Sequence, residues 1–459
     1  MSRPPAVRYG LSLVLAALAL ASPAAAQEHF PTTGDVDLML RYLVEDGETP
    51  GIVVGFIDAD GSTRILEYGE AGPGARPLGS RSAFEIGSIT KTFTAALLAD
   101  MVARGQMALD DPVQKYLPDG VSMPTWEGRE ITLEDLSTHH SGLPRMPDNF
   151  APADPANPYA DYTADDLYAF LSGHELRRAP GAEFEYSNLA VGLLGHVLEL
   201  ATGMTYEQLV RARVLDPLGM DATGITLEGD LASWMTKGHD DAGEVVSYWD
   251  AMALAGAGGL RSSAEEMLVY LAAQLGSPGS EIERAIRMTH EPRVEMEDGA
   301  AAGLGWGIRQ VGERRILSHG GGTAGYSTWV GFDPDLGVAA VMLTNTGDFD
   351  DDLAGDLLRR GAPISTPTVE VPSDVLESYV GMYGPSAPQA VAVRLEDEGW
   401  LTMQVPGNVR FRLYADSDTS FYVRRTPWRL VFQRDETGRV SGAVADLAGT
   451  ERRMPRRDD

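Results

Sequence analysis

The chain has 459 residues, of which 43% are hydrophobic and 8% aromatic, and its 37 basic against 67 acidic side chains give a formal net charge of −30. This length and apolar content predict a folded protein of more than one domain, and the acidity disfavours nucleic acid as a partner. Because the chain contains no cysteine, disulfides, thiolate nucleophiles and cysteine-ligated metals are excluded, and any covalent chemistry must use oxygen or nitrogen nucleophiles.

Residues 1–26 have the pattern of an export signal. Arg3 and Arg8 precede an apolar run over Leu11–Ala21, and small residues before Gln27 offer a cleavage site. The run is shorter than the roughly 20 residues that span a bilayer, so we expect no transmembrane anchor after cleavage. The sequence therefore predicts a periplasmic or secreted protein.

From residue 27 to 362 the pattern predicts a mixed domain with strands at both ends and helices between them. Strands are expected at Pro50–Ile57, Arg64–Gly69, Gly303–Arg309, Arg315–His319, Gly325–Phe332 and Val338–Thr344. Helices are expected at Asp35–Leu43, Thr92–Ala103, Thr132–Ser137, Thr163–Leu171, Asn188–Thr202, Tyr206–Val214 and Ser263–Ala273, the last opened by a capping box with Glu266. This order indicates an α/β (α+β) fold in which an antiparallel sheet pairs its N- and C-terminal strands and is flanked by helices.

A loop and a β-rich tail complete the chain. Residues Pro144–Tyr162 are rich in Pro, Ala, Asp and Asn and predict a long surface loop or lid. After a proline-bearing linker at 363–372, residues 373–459 predict a small antiparallel barrel or sandwich. Its strands are expected at Ala390–Leu395, Trp400–Val405, Val409–Leu413, Ser420–Val423, Trp428–Gln433 and Val440–Ala445.

The first chemical motif is Ser88-Ile89-Thr90-Lys91 at the start of the long apolar helix, and Lys91 is one of only three lysines in the chain. Residues at i and i+3 share a helix face, so the hydroxyl of Ser88 and the amine of Lys91 should lie side by side. A neutral lysine can activate a serine, but a free lysine titrates near 10.4, so burial must lower its pKa by about three units. The alternative interpretation is that Ser88 is an ordinary helix N-cap and Lys91 a surface residue of the first turn.

The second motif is Tyr186-Ser187-Asn188, just before a predicted helix. A phenol with a lowered pKa can shuttle a proton, and the asparagine can donate to a substrate carbonyl while it accepts from the lysine. The alternative is an ordinary helix cap with a packed tyrosine.

The third motif is His319-Gly320-Gly321-Gly322, at the end of a predicted strand. Glycines let a substrate backbone approach the strand, and a free N–H there can pair with that of Ser88 as an oxyanion hole. A glycine-rich turn is the alternative. His139 and His140 have no further ligand at metal-binding spacing, so no metal is expected.

Together the three motifs resemble the β-lactamase-related serine hydrolases, a group that includes class C β-lactamases, D-alanyl-D-alanine carboxypeptidases, D-aminopeptidases and esterases. The resemblance also rests on His139-His140-Ser141-Gly142-Leu143-Pro144 and Gly303-Leu304-Gly305-Trp306-Gly307. It implies an all-helical subdomain beside the sheet and no cofactor. The tail, with Tyr379-Val380-Gly381-Met382-Tyr383, resembles the lipocalin-like barrel appended to some peptidases of this group.

Carried over to this chain, the resemblance implies that Ser88 forms an acyl-enzyme, Lys91 activates it and Tyr186 protonates the leaving group. Asn188 would orient substrate, and His319 would take the electrostatic place at the strand. The amides of Ser88 and Gly322 would form the oxyanion hole.

One departure from the family pattern bears on the substrate. Class C β-lactamases carry lysine where His319 stands, which favours here a peptidase or amidase that acts on D-amino-acid-containing peptides. An esterase or low-efficiency β-lactamase remains an alternative, as does a non-catalytic binding scaffold.

Overall fold

The computed structural model describes residues 30–276, 279–296, 299–347, 351–359, 368–386, 390–396, 399–404, 410–423, 428–447 and 450–457. The predicted signal at 1–26 and residues 363–367 of the predicted linker lie outside the described residues. The α-helices are α1 Thr33–Glu45, α2 Thr90–Ala103, α3 Leu133–Ser137, α4 Ala164–Gly173, α5 Asn188–Thr202, α6 Tyr206–Val210, α7 Asp216–Leu218, α8 Ala255–Gly258, α9 Ala264–Leu275, α10 Glu281–Ile286, α11 Asp351–Asp356 and α12 Ser373–Tyr379.

The strands divide into a large sheet, a two-stranded sheet and a barrel. They are β1 Gly51–Ile57, β2 Thr63–Gly69, β3 Ala83–Glu85, β4 Arg261–Ser263, β5 Val294–Glu295, β6 Ala301–Ala302, β7 Gly307–Val311, β8 Arg314–Gly322, β9 Ser327–Asp333, β10 Val338–Thr344, β11 Gly381–Tyr383, β12 Val391–Leu395, β13 Leu401–Gln404, β14 Arg410–Ala415, β15 Ser420–Tyr422, β16 Trp428–Arg434, β17 Val440–Leu447 and β18 Glu451–Arg457. The first two sheets belong to the N-terminal three quarters of the chain, and the barrel follows them.

The large sheet pairs the two ends of its domain, as predicted. Its strand order is β2-β1-β10-β9-β8-β7-β6-β5, and β1 runs antiparallel to β10 with Ile52 opposite Thr344. Successive side chains of β1 point to opposite faces, as strand geometry requires. Val53 and Ile57 join the core under the helices, whereas Ile52 and Val54 pack with α1 and α11. The sheet is therefore covered on both faces, and the predicted α+β class is confirmed.

Helix α2 is the buried centre of the helical layer. All of its residues except Val102 and Ala103 are buried, in keeping with its apolar sequence. Phe93 stacks on Tyr270 of α9 with ring centroids 3.9 Å apart. Because α2 begins inside the core, Lys91 in its first turn is removed from water, whereas Ser88 just before it is half-buried.

The observed strands differ from the predicted ones beside the site. Residues Gly303–Trp306 form a turn instead of a strand, since Gly305 has φ +70° and a Cβ there would lie 2.8 Å from the carbonyl oxygen of Lys91. Strand β8 instead continues past His319 and ends at Gly322, paired with Ser327 of β9. Glycine makes both features possible, because it tolerates positive φ and close backbone approach.

Two helix expectations also need correction. Helix α6 ends at Val210 and continues as a π-helical turn over Arg211–Leu215. Ser263 caps α9 by accepting from the backbone of Glu266, but the Glu266 carboxylate does not complete the capping box. It accepts instead from the backbone N–H of Ala222, which lies elsewhere in the chain. At Glu266 a tertiary contact thus replaces the local capping bond that the sequence pattern predicted.

The tail forms the predicted barrel, closed by β11 through β18. Sequence reasoning missed β11 and β18, because the first is short and the second is mostly charged. Aromatic side chains fill the interior: Tyr379 of α12 stacks on Phe432 with centroids 4.0 Å apart, and Phe421 packs beside them. The described part of the barrel therefore has a hydrophobic cluster of its own.

The described helices give no single segment long and apolar enough to cross a membrane. The bent pair Asn188–Thr202 and Tyr206–Leu218 meets the length and composition test only when its two parts are combined.

Candidate active site

Ser88 and Lys91 lie side by side where a short 3-10 segment, Gly87–Ile89, leads into α2. The distance from Lys91 Nζ to Ser88 Oγ is 2.8 Å. The spacing of the motif predicted this contact, because residues three apart share a helix face. The candidate nucleophile and its candidate base are therefore within hydrogen-bond distance of each other.

The environment of Lys91 favours a neutral amine. Its side chain is fully buried, and Nζ donates a hydrogen bond to the carbonyl of Ala257 at 2.7 Å. Burial, followed by the positive charge of Arg145, holds the pKa of Lys91 well below its usual range. The surroundings of Lys91 thus shift its pKa in the direction that a base at this position requires.

Tyr186 lies over the same amine. Lys91 Nζ is 5.0 Å from the centroid of its ring, and the guanidinium of Arg145 is 5.1 Å from it. Burial raises the pKa of Tyr186, although a hydrogen bond with Ser88 and the charge of Arg145 act in the opposite direction. The expectation of a lowered phenol pKa is therefore wrong, and Tyr186 keeps its proton at neutral pH.

His139 is buried beside Tyr186. Its ring lies 4.4 Å from that of Tyr186, and its Nδ1 accepts from the backbone N–H of Ser187 at 3.1 Å. That bond places the ring proton on Nε2. Burial, followed by the charge of Lys91, holds the pKa of His139 well below its usual range. The residues that the structure describes contain no group of three potential metal-binding side chains.

Asn188 begins α5 and faces the pocket beside Ser88. Its Nδ2 donates to the sulfur of Met146 at 3.8 Å, while its Oδ1 is buried without a hydrogen-bond partner. The expected hydrogen bond from Lys91 to Asn188 Oδ1 is not formed; Lys91 Nζ instead donates to the Ala257 carbonyl and lies 2.8 Å from Ser88 Oγ. The amide oxygen of Asn188 is left available.

The glycines of the third motif have different surroundings. A Cβ on Gly321 would lie 2.1 Å from the carbonyl oxygen of Ile86, so this glycine allows β8 to pack against the segment before Ser88. Gly87 has φ +49°, and a Cβ there would lie 2.7 Å from the amide nitrogen of Gly322. Only glycine fits this close backbone contact. The packing brings Gly322 and Ser88 to the edge of one pocket.

His319 lies on β8 with its Nδ1 2.6 Å from the carbonyl oxygen of Gly320, to which the N–H donates. Burial, and then the charge of Lys91, lower the pKa of His319 to about 4. At neutral pH this imidazole is uncharged. Whatever it contributes at the strand is a hydrogen bond or a dipole, in place of the positive charge that a lysine would supply.

A neutral His319 predicts a specific acid sensitivity of the fold. The unfolded state binds a proton near pH 6.5 and the folded state only near pH 4, so stability falls as pH drops through this window. We expect the free energy of unfolding of His319→Gln, measured in urea, to fall between pH 7.5 and pH 4.5 by about 2 kcal/mol less than that of wild type. Equal losses in the two proteins would contradict the assignment.

The pocket beside Ser88, called here the nucleophile pocket, is lined by Gly87, Ser88, Tyr159, Asn188, Trp249, Ala251, Leu254, Ala257, Gly258, Gly322 and Thr323. A second and larger cavity adjoins Tyr186, His319 and Gly320. The chemical residues thus divide between two neighbouring spaces, with Lys91 buried behind them.

Sequence reasoning missed several residues of this site. Tyr159 belongs to the predicted surface loop, yet it lines the nucleophile pocket and its ring lies 5.2 Å from that of Trp249. The loop is tied down by Asn157, whose side chain donates to Asp250 at 2.9 Å and accepts from its backbone at the same distance. The aromatic residues of the loop were the available signal.

A family model described as Beta-lactamase matches residues 36–362. The chain belongs to the β-lactamase family. Members of this family are serine hydrolases that act through an acyl-enzyme, and this protein is therefore a serine hydrolase of that type.

Two relatives of this β-lactamase-family protein have names that give different activities. The D-alanyl-D-alanine-carboxypeptidase/endopeptidase AmpH of Escherichia coli K12 is 30% identical over 350 residues, which cover 72% of this chain and 89% of the relative. A Beta-lactamase of Pseudomonas fluorescens is 26% identical over 344 residues, which cover 68% and 92%. Peptidase and β-lactamase names both occur among the relatives.

Solved structures agree on the fold. A class C β-lactamase from Rhodobacter sphaeroides aligns with TM-score 0.62 and 25% identity over 71% of this chain and 99% of its own. An octameric penicillin-binding protein homologue from Pyrococcus abyssi, 21% identical, aligns with TM-score 0.66 over 92% of this chain and 99% of its own. The second alignment covers more of this chain than the first.

Proposed function

We propose that this protein is a serine peptidase or amidase that acts on D-amino-acid-containing peptides, of the D,D-carboxypeptidase or D-aminopeptidase type. The observation that carries the proposal is the 2.8 Å contact between Ser88 Oγ and the amine of the fully buried Lys91. A serine needs such a base to become a nucleophile. The pattern of residues 1–26 adds the proposal that the protein is exported.

In the proposed acylation, Ser88 Oγ attacks the scissile carbonyl carbon while its proton passes to the neutral amine of Lys91. The new C–O bond creates a tetrahedral intermediate whose oxyanion faces the amides of Ser88 and Gly322. Donors aimed at that oxygen stabilise the charge as it develops. Collapse of the intermediate breaks the bond to the leaving group and gives the acyl-enzyme.

Tyr186 is the proposed proton donor to the leaving group. Because burial keeps its phenol protonated, it can donate as the bond breaks and then recover a proton from the Lys91 ammonium. In deacylation a water attacks the ester carbonyl and transfers a proton to the neutral amine of Lys91, with Tyr186 orienting that water. The released serine oxygen takes that proton back from the Lys91 ammonium, which restores Ser88 and the neutral amine, and the product leaves as the carboxylic acid.

Two observations favour a peptide over a β-lactam as substrate. The strand position that carries lysine in class C β-lactamases holds a neutral histidine here. The similarity to the carboxypeptidase/endopeptidase AmpH, at 30% identity, covers 89% of that relative, whereas a Beta-lactamase of Escherichia coli K12 with the same identity is covered to 58%. Ester hydrolysis or slow β-lactam hydrolysis by the same residues is the second candidate, favoured by the 25% identity to a class C enzyme.

Intact-mass spectrometry tests this proposal directly. The protein is exposed separately to benzylpenicillin, a p-nitrophenyl ester and a D-amino acid amide, and its mass is followed over time. We expect a penicilloyl adduct that decays slowly, because the acyl-enzyme forms but its hydrolysis is adapted to another acyl group. The adduct should map to the peptide that contains Ser88.

Other outcomes select other functions. Rapid turnover of benzylpenicillin without a lasting adduct would favour a β-lactamase. Turnover of the ester alone would favour an esterase. If none of the three compounds acylates the protein or is hydrolysed, the non-catalytic scaffold becomes the better description.

A further inference from the structure

Arg145 is held beside the active site by its own backbone. Its carbonyl oxygen accepts from the N–H groups of Asn188 and Leu189, at 3.0 and 3.2 Å, and so binds donors that the start of α5 leaves free. Any residue at this position can form these two bonds, because they use only the main chain. A substitution of the Arg145 side chain therefore leaves them in place.

The guanidinium of Arg145 and the amine of Lys91 contact the same aromatic ring. The Cζ atom of the arginine is 5.1 Å from the centroid of the Tyr186 ring, and the Nζ atom of the lysine is 5.0 Å from that centroid. The two basic groups are therefore at most about 10 Å apart, a separation at which two positive charges in a protein still repel each other.

No acidic side chain neutralises Arg145 among the described residues. Its side chain is exposed. Other arginines around the site differ in this respect, because Arg178 pairs with Glu185 and Arg261 pairs with Glu85. The charge of Arg145 is thus reduced only by solvent and salt.

The other titratable groups that face Lys91 are neutral at pH 7. Burial, and then the charge of Lys91, hold the pKa of His139 well below its usual range and lower that of His319 to about 4. Burial raises the pKa of Tyr186, so its phenol is protonated. None of these three side chains therefore brings a charge to the lysine.

The polar contacts of the Lys91 amine are neutral as well. Its hydrogen-bond neighbours are Ser88 Oγ at 2.8 Å and the carbonyl oxygen of Ala257 at 2.7 Å. Two glutamates, Glu183 and Glu295, line the adjoining cavity but are exposed to solvent. After burial, the charge of Arg145 is the factor that lowers the pKa of Lys91.

We propose that Arg145 is a positioning residue that acts through Lys91: its positive charge keeps the lysine amine unprotonated, so that the amine can take the proton of Ser88. The arginine supplies from a loop the charge that His319 on β8 lacks at neutral pH. The effect on catalysis rests on the proposed function, whereas the protonation of Lys91 can be measured without any substrate.

NMR follows the protonation of Lys91 directly. The chain has only three lysines, so isotope-labelled lysine gives three ε-carbon signals, and Lys91→Met identifies the signal of Lys91. Arg145→Gln removes the charge and keeps a polar side chain. We expect the midpoint of the Lys91 titration to rise by about half a pH unit to one pH unit in this variant, because repulsion no longer disfavours the ammonium.

The pH profile of kcat/KM tests the catalytic consequence. A neutral p-nitrophenyl ester is the substrate, and the profile reports ionisations of the free enzyme. Arg145→Gln should move the acidic limb upward by the same interval and lower kcat/KM about 3- to 10-fold at pH values below that limb. The maximum should change by less than about twofold. Arg145→Lys keeps the charge and should retain the wild-type limb.

Arg41 provides the matched control. It is exposed on α1, which packs on the other face of the large sheet, and it pairs with Asp37 at 3.0 Å. Arg41→Gln changes the net charge by the same amount and should leave the Lys91 midpoint and the acidic limb unchanged.

Three results would overturn the inference. These are an unmoved Lys91 midpoint in Arg145→Gln, an equal rise of the midpoint in Arg145→Lys, and a lower maximum of kcat/KM without a shift of the limb, which would indicate a structural role. If wild type hydrolyses no ester, the proposed function fails, and the NMR titration still decides whether Arg145 controls the protonation of Lys91.

Discussion

Alanine in place of Ser88 is expected to lower kcat for ester or amide hydrolysis by a factor of about 10⁴ or more. The variant lacks the oxygen that forms the acyl-enzyme, while the oxyanion donors and the pocket remain. Only the weak catalysis that these groups provide without a nucleophile should survive. Steady-state rates with the activated ester and the absence of any acyl adduct by mass would establish the result.

A serine outside the site provides the control. Ser62 is exposed in the turn between β1 and β2, so Ser62→Ala should retain the wild-type rate. The melting temperature of Ser88→Ala should stay close to that of wild type, because the side chain is small and only partly buried. Unchanged hydrolysis in Ser88→Ala would show that another residue is the nucleophile.

Arginine in place of Lys91 is the second substitution with a large expected effect. The guanidinium stays charged at every accessible pH, so it cannot accept the proton of Ser88. We expect kcat/KM to fall about 10³-fold, in the range found when a general base is lost. In wild type, the limb of the pH profile that reports loss of the Lys91 proton should lie well below that of a free lysine.

The burial of Lys91 makes a further variant necessary, because arginine is larger and its charge would be unpaired in the core. Lys91→Met keeps the length of the side chain without a charge, and it should fold while losing activity to a similar degree. Lys115→Arg is the matched control, since Lys115 is exposed and pairs with Asp111 at 2.8 Å. Full activity in a folded Lys91→Arg protein would exclude Lys91 as the base.

Local sequence patterns predicted the framework of this protein well. The i, i+3 spacing brought Ser88 to Lys91, the apolar run predicted the buried helix α2, and strand signals at the two ends predicted the pairing of β1 with β10. Each of these depends on helix or strand geometry, which neighbouring residues determine. Boundaries were less accurate where glycine allows more than one conformation, as at Gly305.

Other parts of the site depend on contacts between distant segments. Lys91 donates to the carbonyl of Ala257, 166 residues away, and Thr328 Oγ1 donates to the carbonyl of Ile86 across 242 residues. Backbone carbonyls have no sequence signature, so no motif could have identified these partners. Arg145 and Trp249 lie on irregular segments, and only the folded chain shows that they adjoin Tyr186 and the nucleophile pocket.

The charge states of the site residues also depend on contacts between distant segments. From the sequence, Tyr186 was expected to have a lowered pKa and His319 to fill an electrostatic role; burial raises the first pKa and lowers the second to about 4. The sequence by itself determined which chemical groups are present, since it has no cysteine and places a serine three residues before Lys91. The tertiary structure decided which of these groups are neutral, because the desolvation of a group depends on what packs around it.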